Sequence, residues 1–207
     1  MQSRLSPLQG RILELLAGMS PSWTLVGGGA LAGFVIGHRG TRDLDLFWRD
    51  RPALDGVDRE VEARLSASGL QVEPLQTSPA FKRLIVRSDD EDVIVDLVAD
   101  PIAPAEEPEE RAPGLLVDTP HEILVQKLCA LLSRSEVRDL EDVRVLLEHG
   151  GDLRRAIADA ARRDGGFSPP TLAWLLQTFP LEQAGRLGFD EAGLRVFRDE
   201  LIDGLLS

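Results

Sequence analysis

The period of the apolar positions changes several times along the chain, and each change marks an element. Leu5, Leu8, Ile12, Leu15 and Leu16 recur at helical spacing, which predicts an amino-terminal helix over residues 5–18. Pro21 and Ser22 end it, and residues 23–26 predict a short strand running into Gly27-Gly28-Gly29. Residues 30–36 are apolar on most sides, as in a short buried helix. The period then falls to two: Asp43 and Asp45 alternate with Leu44 and Leu46, so both carboxylates lie on one face of a strand and both leucines on the other. An amphipathic helix follows over residues 57–68. Strands are predicted at 71–75, 81–87 and 92–98, the last two joined as a hairpin by the acidic turn at 88–91.

Beyond this point the pattern is helical. Residues 101–114 are acidic and proline-rich and read as a linker or surface excursion, which puts the domain boundary between 1–112 and 113–207. Thr119-Pro120-His121-Glu122 and Ser133-Arg134-Ser135-Glu136 both have capping-box spacing, predicting one helix from Thr119 and another from Ser133 to Glu148. Further helices are predicted at 153–162, 170–178, 181–187 and 191–206, with His149, Trp174 and Phe197 as boundary or packing residues. The expected class is α+β: a mixed sheet with flanking helices, followed by a helical carboxy-terminal domain.

Composition narrows the function. The chain has 207 residues, 43% of them hydrophobic, without a run of 18 apolar residues or a leader pattern, so the expected setting is cytoplasmic, with no membrane partner. Its net charge of −12 argues against broad nucleic-acid binding and confines any such contact to a local basic patch. Cys129, the one cysteine, lies in an apolar helical run, which leaves no internal disulfide and assigns it to packing. Only Lys82 and Lys127 are lysines; the other basic residues are arginines.

Several residue types carry candidate chemistry. Two carboxylates held roughly 4 Å apart repel by about 4 kcal/mol at an effective dielectric near 20, so a fold that keeps Asp43 and Asp45 together supplies a cation unless water solvates them both. Magnesium fits best, because it takes a few carboxylates together with substrate phosphates. Gly27 and Gly28 allow either the close approach of a phosphate or tight packing of a helix on a strand, and the turn is neither a Walker A loop nor a Rossmann fingerprint. Arg39, Thr41 and Arg42 offer donors for triphosphate oxygens, while Arg42 would serve equally as a structural partner of the aspartates. Asp96 sits in the apolar run Val93-Ile94-Val95-Asp96-Leu97-Val98, as either a third carboxylate of the site or a solvent-facing strand residue. Lys127 falls inside the apolar arc of its helix, so it either snorkels outward or points into a site.

Gly27-Gly28-Gly29-Ala30-Leu31, a short helix, and then Gly37-His38-Arg39-Gly40-Thr41-Arg42-Asp43-Leu44-Asp45-Leu46-Phe47 resemble the core motif of the AbiEii/AbiGii (MenT-like) nucleotidyltransferase toxins. That family lies within the DNA polymerase beta nucleotidyltransferase superfamily. The resemblance continues through Glu122 to Leu131, where Lys127 matches a lysine that helps bind nucleotide phosphates. It ends at Arg138-Asp139-Leu140-Glu141-Asp142, which matches the family's Arg-Asp-Leu-x-Asp signature. It implies a polymerase beta-like core, Asp96 as the third metal acid, and Asp139 as partner of an active-site base such as Lys127, with Asp142 the weaker candidate. A docking salt bridge between helices is the alternative for that pair. The superfamily's usual Gly-Ser before the metal strand is replaced here by Gly37-His38, with the hydroxyl coming from Thr41.

The reaction expected from these residues transfers a nucleoside monophosphate from a triphosphate to an acceptor hydroxyl. Asp43, Asp45 and Asp96 would hold two magnesium ions, and Arg39 and Lys127 would neutralise the triphosphate. The resemblance implies tRNA as acceptor and a cognate antitoxin as partner. An antibiotic-type small-molecule nucleotidyltransferase and a non-catalytic nucleotide-binding domain are the alternatives.

Overall fold

The computed structural model describes residues 3–207, which divide into two compact units, the first ending at Thr119 and the second spanning Pro120–Ser207. The first unit is built on a seven-stranded mixed sheet in the order β3-β4-β5-β2-β1-β7-β6. Its elements are α1 (Pro7–Leu16), β1 (Thr24–Val26), α2 (Gly27–Ala30), a π-helical continuation (Leu31–Val35), β2 (Asp43–Arg49), α3 (Val57–Ala67), β3 (Gln71–Thr77), β4 (Phe81–Arg87), β5 (Asp92–Asp100), β6 (Glu109–Ala112) and β7 (Leu115–Val117).

The two faces of the central strands differ because the side-chain period is two. Leu44, Leu46 and Trp48 of β2 are fully buried, as are Leu84 and Val86 of β4 and Val95 and Leu97 of β5. With Ile12 and Leu16 of α1 and Val61 and Leu65 of α3 they form the core, where each fully buried side chain of this size contributes about 1.5–3 kcal/mol. On β2 the alternate residues Asp43, Asp45, Phe47 and Arg49 are half-exposed and make up a polar face.

The first unit extends past the boundary expected after residue 112. Residues 109–117 do not form a linker: β7 pairs in parallel with β1, and β6 pairs with β7. The mixed, proline-rich composition before them hid two short strands that need the sheet edge as a template. Arg49 of β2 helps to hold this edge, donating to Asp100 Oδ2 at 2.6 Å and to Asp118 Oδ2 at 2.9 Å.

The second unit is helical: α4 (Pro120–Ser133), α5 (Val137–Glu148), α6 (Leu153–Arg163), α7 (Pro169–Gln177), two 3-10 turns (Leu181–Gln183 and Gly185–Leu187) and α8 (Glu191–Leu206). The second predicted capping box is not used. Helix α4 runs on through Ser133, whose hydroxyl donates to Ala130 O within the last turn, and α5 starts after Glu136 without a side-chain cap. Trp174, expected to pack, is largely exposed on α7. Among the described residues no helix is long and apolar enough to cross a membrane.

Candidate active site

The polar face of the sheet is assembled by strand register. β2 runs parallel to β5 with Asp45 opposite Asp96, and Asp43 lies two residues earlier on the same face of β2. Three carboxylates therefore share one face of two adjacent strands. Asp96 is 6% exposed, a depth at which a carboxylate needs a partner.

That partner is Arg83, which the sequence reading missed. β4 pairs antiparallel with β5 so that Arg83 stands opposite Asp96. Its Nε donates to Asp96 Oδ1 at 2.8 Å and its Nη2 to Oδ2 at 2.6 Å, a two-bond pair that is the strongest ion-pair geometry available to a side chain. The Asp96 hydrogen bonds, opposed in part by burial and reinforced by the charges of Asp96, Asp45 and Asp43, raise the Arg83 guanidinium above its ordinary value. All three acids thus act on one cation. The signal was present in the predicted hairpin: counting back symmetrically from the turn at 88–91, where Ser88 N–H donates to Glu91 O, sets Arg83 against Asp96.

The glycine turn closes on the same acids. Gly27 has φ +59, and a Cβ added there would lie 3.0 Å from Asp45 Oδ2; one added at Gly28 would lie 3.0 Å from Thr41 Oγ1 and 3.6 Å from Arg39 Nη2. Gly29 instead faces Leu25 and Leu44 in the core. Tight packing of a helix on a strand, one of the two expectations for this turn, is realised at Gly29, while Gly27 and Gly28 stand against Asp45 and Thr41. The predicted strand-to-helix turn is itself already helical, because α2 begins at Gly27.

Thr41 donates to Asp43 Oδ1 in a short hydrogen bond. Its position is set from a distance: α1 is capped by Ser6 and Gln9, and the Gln9 side-chain amide also donates to Thr41 O at 3.1 Å. Arg39 lies beside the turn, with its Nη1 on Gly40 O. Arg42 is exposed, and its main-chain carbonyl accepts from Ile94 N–H, which helps to align β2 on β5.

The second unit holds its own buried ionic cluster. Lys127 Nζ lies 2.7 Å from Asp139 Oδ1 and 2.7 Å from Asp142 Oδ2, so Asp142 is a partner equal to Asp139. Arg134, also missed in the sequence, reaches Asp139 Oδ2 at 2.8 Å. Burial by itself pushes the Lys127 ammonium down, but the pull of Asp142 and Asp139 outweighs it and leaves the pKa raised. The two carboxylates favour the ammonium form of Lys127.

The donor set, three carboxylates on one face with a Cβ-free turn against Asp45, suits a hard cation shared with a phosphate. Among the described residues, no three His, Cys, Asp or Glu side chains are already gathered as a coordination shell, and Asp96 is turned onto Arg83.

The family model for the AbiEii nucleotidyltransferase toxin of type IV toxin–antitoxin systems matches residues 11–204. No curated protein sequence matches the chain. Among solved structures, JHP933 of Helicobacter pylori aligns with a TM-score of 0.58 at 17% identity, covering 97% of this chain and 93% of that one. A second H. pylori structure, described as a candidate nucleotidyltransferase, gives 0.59 at 19% identity over 96% and 92%. The nucleotidyltransferase toxin MenT4 of Mycobacterium tuberculosis H37Rv gives 0.59 at 19% identity, over 74% of this chain and 61% of that one. These likenesses are to the polymerase beta-like nucleotidyltransferase fold.

Proposed function

The chain belongs to the AbiEii family of nucleotidyltransferase toxins, and from that premise we propose that the polar face of its sheet transfers a nucleoside monophosphate from a nucleoside triphosphate to an acceptor hydroxyl, with tRNA as the acceptor. The family implies a triphosphate substrate and a cognate antitoxin. The observation that carries the reading is the register that sets Asp45 against Asp96 with Asp43 on the same face.

In this reading each side chain has one task. Asp43, Asp45 and Asp96 would hold two magnesium ions, which when bound polarise the phosphates and ease ionisation of the hydroxyl. Thr41 fixes the rotamer of Asp43 through its hydroxyl. The missing Cβ atoms of Gly27 and Gly28 leave room for a phosphate against the turn, and Arg39 supplies a guanidinium beside it. The acceptor oxygen bonds to the α-phosphorus, the bond to the β-phosphate breaks, pyrophosphate leaves and the proton passes to Asp96. The use of a triphosphate points to a cytoplasmic reaction.

A small-molecule acceptor is the second reading, favoured by the net charge of −12, which repels a polyanion. Incubating the protein, magnesium and each α-labelled triphosphate with a cell extract separates the two, since label enters either a tRNA-sized band or a small product. Asp45→Asn should abolish both, with the fold intact by circular dichroism. Labelling by that variant at the wild-type rate would remove Asp45 from the chemistry.

A further inference from the structure

Arg83, Asp96 and Asp45 form one row across three adjacent strands, with the guanidinium at the rim and the middle carboxylate beneath it. The Arg83 side chain is 44% exposed and that of Asp96 9% exposed, so the arginine has water on one side and a buried acid on the other. Both oxygens of Asp96 are taken up by Arg83, and the guanidinium also lies 5.7 Å from the centre of the Phe81 ring. A hard cation is drawn by the negative charge of those same oxygens, which Arg83 already neutralises. Arginine and ion thus compete for one carboxylate.

Resting on the reading of Asp43, Asp45 and Asp96 as ion-holding acids, we propose that Arg83 is a substrate-binding residue that exchanges partners. It neutralises Asp96 until a divalent ion and the triphosphate arrive together, and then gives up Asp96 to pair with a phosphate oxygen. The planar fork that now spans two carboxylate oxygens is equally suited to two phosphate oxygens. An ion entering alone meets a carboxylate whose charge is already neutralised and one of whose lone pairs on each oxygen is taken, and binding it fully leaves Arg83 in water. An ion entering with a triphosphate breaks the pair and gives the guanidinium a new anion. Ion and nucleotide therefore bind with positive coupling through Arg83, and by reciprocity each tightens the other equally.

The test is a manganese titration, read by the EPR signal of free Mn2+, with and without a triphosphate whose α–β bridge is a methylene. Wild-type protein should bind Mn2+ weakly alone and, once the Mn2+ held by the nucleotide in a protein-free titration is subtracted, at least about 5-fold more tightly with the nucleotide, the lower end of ordinary coupling. Arg83→Gln should bind Mn2+ alone more tightly than wild type and lose most of the enhancement. Arg83→Lys, which keeps the charge without the fork, should fall between, and it carries the test if the glutamine variant does not fold. Unchanged Mn2+ affinity in the variants, or weaker binding without nucleotide, would reduce Arg83 to a structural partner of Asp96 and overturn the exchange. If wild-type protein binds no Mn2+ under either condition, or Asp45→Asn binds it as well as wild type, the ion-holding reading fails and the exchange falls with it.

Discussion

Gly27→Ala probes the packing of the glycine turn against the acids. The added Cβ would sit 3.0 Å from Asp45 Oδ2 and 3.8 Å from Asp45 Cγ, so the carboxylate must give way by a few tenths of an ångström. The backbone pays as well, since Gly27 has φ +59, a left-handed conformation that costs an L-residue about 1–2 kcal/mol. That loss alone would leave a protein of ordinary stability folded. The effect on rate is larger in proportion: misplacing a reacting group by about 1 Å costs about 100-fold, and a shift of a few tenths about 10-fold. Gly18→Ala is the control, because Gly18 has φ +69 but nothing within 4 Å of its would-be Cβ. Both variants should lose about 1–2 kcal/mol in urea unfolding. Only Gly27→Ala should lose roughly 10- to 100-fold in label transfer from an α-labelled triphosphate. Equal rates in the two variants, or a wild-type rate in Gly27→Ala, would show that the closeness of the turn to Asp45 has no bearing on the reaction.

Lys127→Met leaves the buried Asp142 without its ammonium and should cost about 3–5 kcal/mol in urea unfolding. The folded pKa of Lys127 lies above the ordinary 10.5 of a lysine, so its contribution is complete below about pH 10 and is lost as the pH rises through the folded value. Stability should therefore fall at alkaline pH, and the Lys127→Met variant should fall less steeply over the same range. Burial raises the Cys129 thiol from 9.0 to about 11, so its alkylation by iodoacetamide near pH 8 should run about 100-fold slower in the folded protein than after denaturation, as followed by mass spectrometry.

Elements with a strong local signal were legible. The alternation at Asp43 to Phe47 gave β2 and the common face of its two acids, and the hairpin at residues 88–91 gave β4 and β5. Helices with an apolar stripe appeared within a few residues of their expected bounds, as with α3 and α8. Signals that depend on a neighbour misled or were silent. The Ser133 box had the right spacing but fell inside the last turn of α4, and β6 and β7 exist only because β1 offers an edge to pair with.

What the amino-acid order fixed by itself is which residues share a face, since period two and period 3.6 are properties of the backbone and need no partner. Asp43 beside Asp45 and Lys127 beneath an apolar arc follow from that alone. Which face meets which is decided by register and by packing between segments far apart in the chain. Only there does Asp96 come against Asp45, Arg83 come to cover Asp96, and Asp142 join Asp139 on Lys127. A buried charge takes its chemical meaning from its nearest counter-charge. That distance belongs to the folded chain, so the acids stood out in the sequence one by one, while the cation that holds one of them needed the hairpin register as well.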